Sequence, residues 1–180
     1  MDVGMVRVGV AASDADGLMA MPVHTVRRDP KKNSDLRLLV RDIRDRAAVE
    51  VFVGLPRNLS GSESASSRMA RDYAFLLADA LAKAGMDVPV RLVDERLSTV
   101  SAHRSLRQAG LNTREHRKVV DQVAAVEILQ HAIDMQRSRG RDVGEPVVVR
   151  RQERSQGVPP TAMEEPDISQ IQRAGEDGAP

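Results

Sequence analysis

Met5-Val-Arg-Val-Gly-Val-Ala-Ala-Ser13 and Leu18-Met-Ala-Met-Pro-Val-His-Thr-Val26 flank the short segment Asp14-Ala-Asp-Gly17. Both arms are rich in β-branched residues, which suit a pleated surface, and the Asp and Gly residues between them suit a turn. The stretch therefore predicts a β-hairpin, and the elements C-terminal to it set the class of fold. From Ser34, an N-cap by residue type, Leu36, Leu39, Val40 and Ile43 recur at helical spacing to about Ala47. A buried strand, Val49-Glu-Val-Phe-Val53, ends at Gly54-Leu-Pro56. After a Ser/Gly-rich loop over 57–67, Met69, Tyr73, Leu76, Leu77, Ala80 and Leu81 mark one face of a long helix, with Gly85 as its stop. Val88-Pro-Val-Arg-Leu-Val93 is a further strand, running into Asp94-Glu-Arg-Leu-Ser-Thr99. A short helix to Ala109-Gly110, with Ser98 or Thr99 as its N-cap rather than a nucleophile, precedes a last helix over 117–136. Strands alternating with helices after an opening hairpin predict one α/β domain with crossover helices on a mixed sheet.

Composition bounds the chemistry. The 180 residues suffice for one core, and with 41% hydrophobic but only 2% aromatic content that core must be aliphatic. Aromatic base-stacking platforms are therefore not expected. The absence of cysteine excludes disulfides, thiolate metal sites and cysteine nucleophiles, and it fits a reducing cytoplasm. No apolar run approaches the roughly 18 residues of a membrane span, so a soluble protein with no membrane partner is expected. Residues 138–180 hold six Arg and eight Asp or Glu, which leaves 21 basic against 18 acidic residues before them, a mild bias towards a polyanionic partner. The same segment has little to bury beyond Val147-Val-Val149 and reads as a disordered tail, with the domain confined to 1–137.

Three carboxylates stand out. Asp121 lies in line with Ala125, Ile128 and Ala132 on an apolar helix face, so an ion pair, a hydrogen-bond network or a metal must compensate its burial. Glu95 follows a buried strand, where open α/β sheets gather their active sites, although a solvated loop acid fits the same position. Asp94 makes the same claim with less support. Asp2-Val-Gly4 sets a carboxylate at the end of a first strand, with Gly4 permitting the reversal into the next. Asp-x-Gly also opens the phosphate hairpins of actin-like ATPases, but this chain is too short for their paired domains. Carboxylates drawn from distant parts of a chain suit Mg2+ or Mn2+, which bind phosphate oxygens and serve phosphodiester hydrolysis. The histidines His24, His103, His116 and His131 have no ligand-like spacing and are expected to be surface or structural.

In order, Asp2-Val-Gly-Met-Val-Arg-Val-Gly-Val-Ala11, Val53-Gly-Leu-Pro56, Asp94-Glu-Arg-Leu-Ser-Thr99 and Lys118-Val-Val-Asp121 resemble the YqgF or RuvX-type pre-16S rRNA nucleases, also called Holliday junction resolvase-like proteins. The likeness covers roughly residues 2–135. It implies a ribonuclease H-like mixed five-stranded sheet flanked by helices, and cytoplasmic processing of the 5′ end of small-subunit ribosomal RNA. It also implies that Asp2, Glu95 and Asp121 are the catalytic metal ligands. Arg7, Arg57, Arg96 and Lys118, near these motifs, are then expected to neutralise substrate phosphates, although Arg96 and Lys118 could equally pair with neighbouring acids. Structured precursor RNA is the first expected substrate and branched DNA the second, for a monomer or a homodimer. A ribosome-assembly module that binds RNA without cutting it is the alternative from another class. Because members of the family carry an apolar strand before the first Asp, the first strand is expected to be truncated here, with the native start upstream.

Overall fold

The computed structural model describes residues 1–56, 63–94 and 114–149, and of 114–120 the backbone alone. The opening hairpin is present as β2 (Arg7–Ser13) and β3 (Ala20–Arg27), antiparallel from Arg7 opposite Arg27 to Ser13 opposite Ala20. Its turn closes as expected: Gly17 takes a left-handed φ of 64°, and the Asp14 carboxylate accepts from the amides of Leu18 at 2.6 Å and Met19 at 3.1 Å. These two amides hold the Asp14 carboxyl below its ordinary range. Pro22 sits on β3, which among the described residues pairs only with β2, and an edge strand is where a residue without an amide hydrogen is tolerated.

Before the hairpin, β1 (Asp2–Val3) pairs antiparallel with β2, Asp2 opposite Gly9 and Val3 opposite Val8. After it come α1 (Ser34–Asp45), β4 (Val51–Leu55), α2 (Ala65–Lys83), β5 (Val90–Asp94), α3 (Arg114–Arg139) and β6 (Glu145–Pro146). Two details depart from expectation at helix ends. Ser34 is the first helical residue of α1 rather than its cap, which is Asn33 in left-handed geometry. The start of α2 carries a reciprocal cap between Ser64 and Ser67, and the Ser67 hydroxyl also donates to the carbonyl of Pro56 just past β4. Gly85 follows the cap of α2 with φ 71°, the left-handed stop its residue type predicts.

The strands group as two three-stranded sheets, β1-β2-β3 and β4-β5-β6, rather than as one sheet of five. The Met1 amino group donates to the Phe52 carbonyl at 2.7 Å, and the Gly54 amide donates to the Met1 carbonyl at 3.0 Å. That alternation is the pattern of a parallel pair. β4 and β5 are parallel, so β1, β4 and β5 run the same way and end at the same edge.

Burial divides the core by sheet face. Val3, Val8, Val53 and Leu92 point to the side of Leu39, Tyr73 and Leu77, where α1 and α2 lie. Phe52 and Val93 point to the other side, against Ala132 of α3 and Val143. The packed unit extends to Val149, beyond the boundary expected at residue 137. Three contacts explain this. Val143 is buried, Arg71 of α2 holds Glu145 through Nη1 and Nη2 at 2.6 and 3.0 Å, and the Val147 amide donates to the Val90 carbonyl at 2.9 Å. Residues 150–180 of the expected tail, like the expected short helix before Ala109-Gly110, lie outside the described residues. No helix among the described residues is long and apolar enough to cross a membrane.

A carboxylate pair where helix α3 meets strand β2

Gly9 decides how close α3 can come. A Cβ built on Gly9 would stand 2.1 Å from the Asp121 carbonyl oxygen and 3.3 Å from the Asp121 Cβ. Any side chain there would collide with helix backbone, so only glycine lets the two elements touch. Asp2 is the cross-strand partner of Gly9, and directly opposed residues present their side chains on the same face. Asp2 therefore faces the side of the sheet on which Asp121 lies. With opposed Cβ positions about 5 Å apart, the Cβ atoms of Asp2 and Asp121 fall within roughly 9 Å of each other. Asp2 is buried, whereas Asp121 keeps about a quarter of its side-chain exposure.

Arg7 completes the group. It is the first residue of β2, two positions before Gly9 on the same face, and its Nε donates to Asp121 Oδ2 at 2.6 Å. An ion pair is among the compensations expected for a carboxylate on that helix face, and Arg7 supplies it. Arg7 itself is fixed from behind, because its carbonyl accepts from the Gly4 amide at 2.8 Å in the turn joining β1 to β2. The carbonyl of Gly4 in turn accepts from Arg28 Nη1 at 3.2 Å. Arg28 lies over the Tyr73 ring, 4.8 Å from its centroid, and the Tyr73 hydroxyl donates to Asp35 at 2.8 Å. A chain of contacts thus runs from α1 and α2 to the turn that carries Asp2 and Arg7.

Asp94 ends β5 opposite Leu55, at the same edge as Val3. Glu95, Arg57 and Arg96 lie outside the described residues, and for Lys118 only its backbone, within α3, is described. The structure thus brings together Asp2, Arg7 and Asp121 of the expected site residues. Among the described residues no three His, Cys, Asp or Glu side chains cluster as a cation site. His24 serves structure, its Nε2 lying 2.8 Å from Asp42 Oδ2, and burial lowers the pKa of His131. Sequence reasoning passed over Gly9 and the Arg28–Tyr73–Asp35 group. A glycine inside a β-branched strand is itself a signal of close backbone approach, but nothing local marks the second group.

Comparison with known proteins places these motifs in a lineage. Residues 1–135 match the RuvX family model, described as Holliday junction resolvase. The chain belongs to the RuvX family. A Frankia casuarinae relative of this RuvX chain is 53% identical over 137 residues, covering 76% of the chain and 66% of the relative. A Mycobacteroides abscessus relative is 46% identical over 142 residues, 79% of the chain and 83% of the relative. One from Kineococcus radiotolerans is 49% identical over 138 residues, 77% of the chain and 71% of the relative. All three bear the provisional name of pre-16S rRNA nuclease.

Proposed function

We propose that this chain is a divalent-metal-dependent nuclease of ribonuclease H-like fold that processes the 5′ end of pre-16S ribosomal RNA in the cytoplasm. The observation that carries the proposal is the contact of Gly9 with Asp121, which sets Asp121 on the face of Asp2. Parallel β1, β4 and β5 beside an antiparallel hairpin, with α1 and α2 on one face and α3 on the other, support the ribonuclease H-like fold.

The donor set fits a hard cation. It offers carboxylate oxygens only, and the charge now resting on the Asp121 carboxylate is itself a cation, the Arg7 guanidinium. Asp2, Asp121 and Glu95, which follows β5 directly, would hold Mg2+ or Mn2+. Once bound, such an ion supplies positive charge against the scissile phosphate and favours ionisation of its attacking water. The residues of the chain do the rest. Asp2 is held rigid between β2 and the Met1 bonds to β4, which keeps its oxygens on the α3 face. Arg7 orients Asp121, and Arg7, Arg57, Arg96 and Lys118 would neutralise the phosphates that flank the cut.

The description of the family favours a second substrate, the four-way DNA junction, cut by the same carboxylates. The test is metal-dependent cleavage of a precursor RNA fragment beside such a junction, with Glu95→Gln as the variant that keeps shape and removes charge. RNA cutting that disappears in Glu95→Gln is the expected result. Preferential junction cutting would make the chain a resolvase. A folded protein that cuts neither overturns the nuclease and leaves an RNA-binding assembly module, whereas a Glu95→Gln variant that cuts as well as the parent removes Glu95 from the active site.

A further inference from the structure

We propose that Arg27, Lys31 and Lys32 form a phosphate track that carries the nucleic-acid backbone away from the carboxylate pair, an inference that rests on the nuclease reading. Arg27 is the cross-strand partner of Arg7. Two like charges directly opposed on one face repel, so the pairing is a cost the fold carries unless an anion lies nearby. Asp121 serves Arg7, while Arg27 is exposed and has no ion pair among the described residues. The loop after β3 continues the strip with Lys31 and Lys32, both exposed and likewise without an ion pair among the described residues. β3 runs parallel to β1, so this strip lies at the edge of the sheet where β1, β4 and β5 also end.

The acid within the loop offsets only part of this charge, one carboxylate standing against Arg27, Arg28, Lys31 and Lys32. Asp29 is spent on shaping the loop: Oδ1 accepts from the Lys32 amide at 3.1 Å, Oδ2 from the Ser34 hydroxyl at 2.6 Å, and its carbonyl from the Asn33 amide at 2.8 Å. These bonds hold its carboxyl below the usual range. The lysines are therefore presented on a loop ordered before any partner arrives, which lowers the entropy cost of binding. At the other end of α1, Arg41, Arg44 and Arg46 alternate with Asp42 and Asp45, and Arg41 pairs with Asp45 at 3.4 Å. Residues 27–32 before the helix thus hold four basic side chains against one acidic, whereas residues 41–46 hold three against two. A strip of cations without aromatic side chains suits a phosphodiester backbone, gripped regardless of sequence.

Binding of a fluorescein-labelled RNA from the precursor's 5′ flank, and in parallel of a four-way DNA junction, is measured against salt in EDTA, with cleavage measured separately. The triple variant Arg27→Ala/Lys31→Ala/Lys32→Ala is expected to flatten the plot of log affinity against log salt by about 2, at roughly 0.7 for each lost single-strand contact. Its KM for cleavage is expected to rise with kcat kept. Arg41→Ala/Arg44→Ala/Arg46→Ala, the same charge removed at the other end of α1, should keep the wild-type slope. The track is wrong if the first variant keeps that slope, or if the second flattens it equally, which would reduce the effect to net charge. Wild-type protein that binds neither nucleic acid would sink the nuclease reading along with it. Wild-type protein that binds and cuts, beside a first variant of unchanged slope, would sink the track alone.

Discussion

Tyr73 is the one tyrosine of the chain, and it joins three elements. The helical spacing of its neighbours put its ring in the core, where it is found, but its bond to Asp35 was not legible, because it depends on how α1 lies against α2. Asp121 shows the same limit. Its alignment with Ala125, Ile128 and Ala132 is as the spacing indicated, whereas its partner Arg7 stands 114 residues earlier in the chain. Burial, reinforced by the bond to Asp35, raises the pKa of the Tyr73 phenol from its ordinary 10. Above that pH the unfolded chain loses the proton and the folded protein keeps it. This contribution to stability is therefore complete below pH 10 and declines as the pH rises further, by at most about 1.4 kcal/mol for each pH unit. Tyrosinate absorbance should accordingly stay flat in the native protein through pH 10 and appear only on unfolding. Tyr73→Phe should lower stability at neutral pH by about 1–3 kcal/mol, since Asp35 loses its donor. A native-state transition near pH 10 would mean the phenol is not confined as described.

Among the elements, α1, α2 and the described part of α3 were legible because a period near 3.6 survives over three or more turns. The two-residue β1 and β6 are too short to carry a period, and β6 sits in a stretch with little apolar content, held by Val143 and by Arg71 on Glu145. The contact between α3 and β2 is the packing on which the site depends, and Gly9→Ala tests it. The added methyl would meet the Asp121 carbonyl oxygen at 2.1 Å, and backbone, unlike a long side chain, cannot swing aside. Either α3 lifts from β2 or β2 bends, at a cost of about 1–3 kcal/mol by comparison with overpacked cores. Because either shift also moves Asp121 relative to Asp2, cleavage should fall further than the loss of folded protein explains. A Gly9→Ala protein with wild-type urea midpoint and wild-type rate would show that the contact does not fix the pair.

At the scale of the whole molecule, the proposed site draws on both sheets. Asp2 belongs to the hairpin sheet, and Glu95 follows a strand of the parallel one, so the carboxylates stay aligned only if the sheets move as one body. Two features argue that residues 1–149 open together. Met1 bonds to β4 at both its amino group and its carbonyl, and α3 packs across β2 and β3 of one sheet and β4 of the other. An opening that freed the hairpin would separate β2 and β3 from α3, which packs on both. Native-state hydrogen exchange reads this directly. The slowest amides of β2, at Val8 and Val10, should exchange with the same opening free energy as those of β4 and β5, at Val53 and Leu92, and that value should match global unfolding. Gly9→Ala should lower all four together. If the hairpin amides alone exchange through a lower-energy opening, the two sheets are separate cooperative units, and the carboxylates would need substrate or cation to bring them into line.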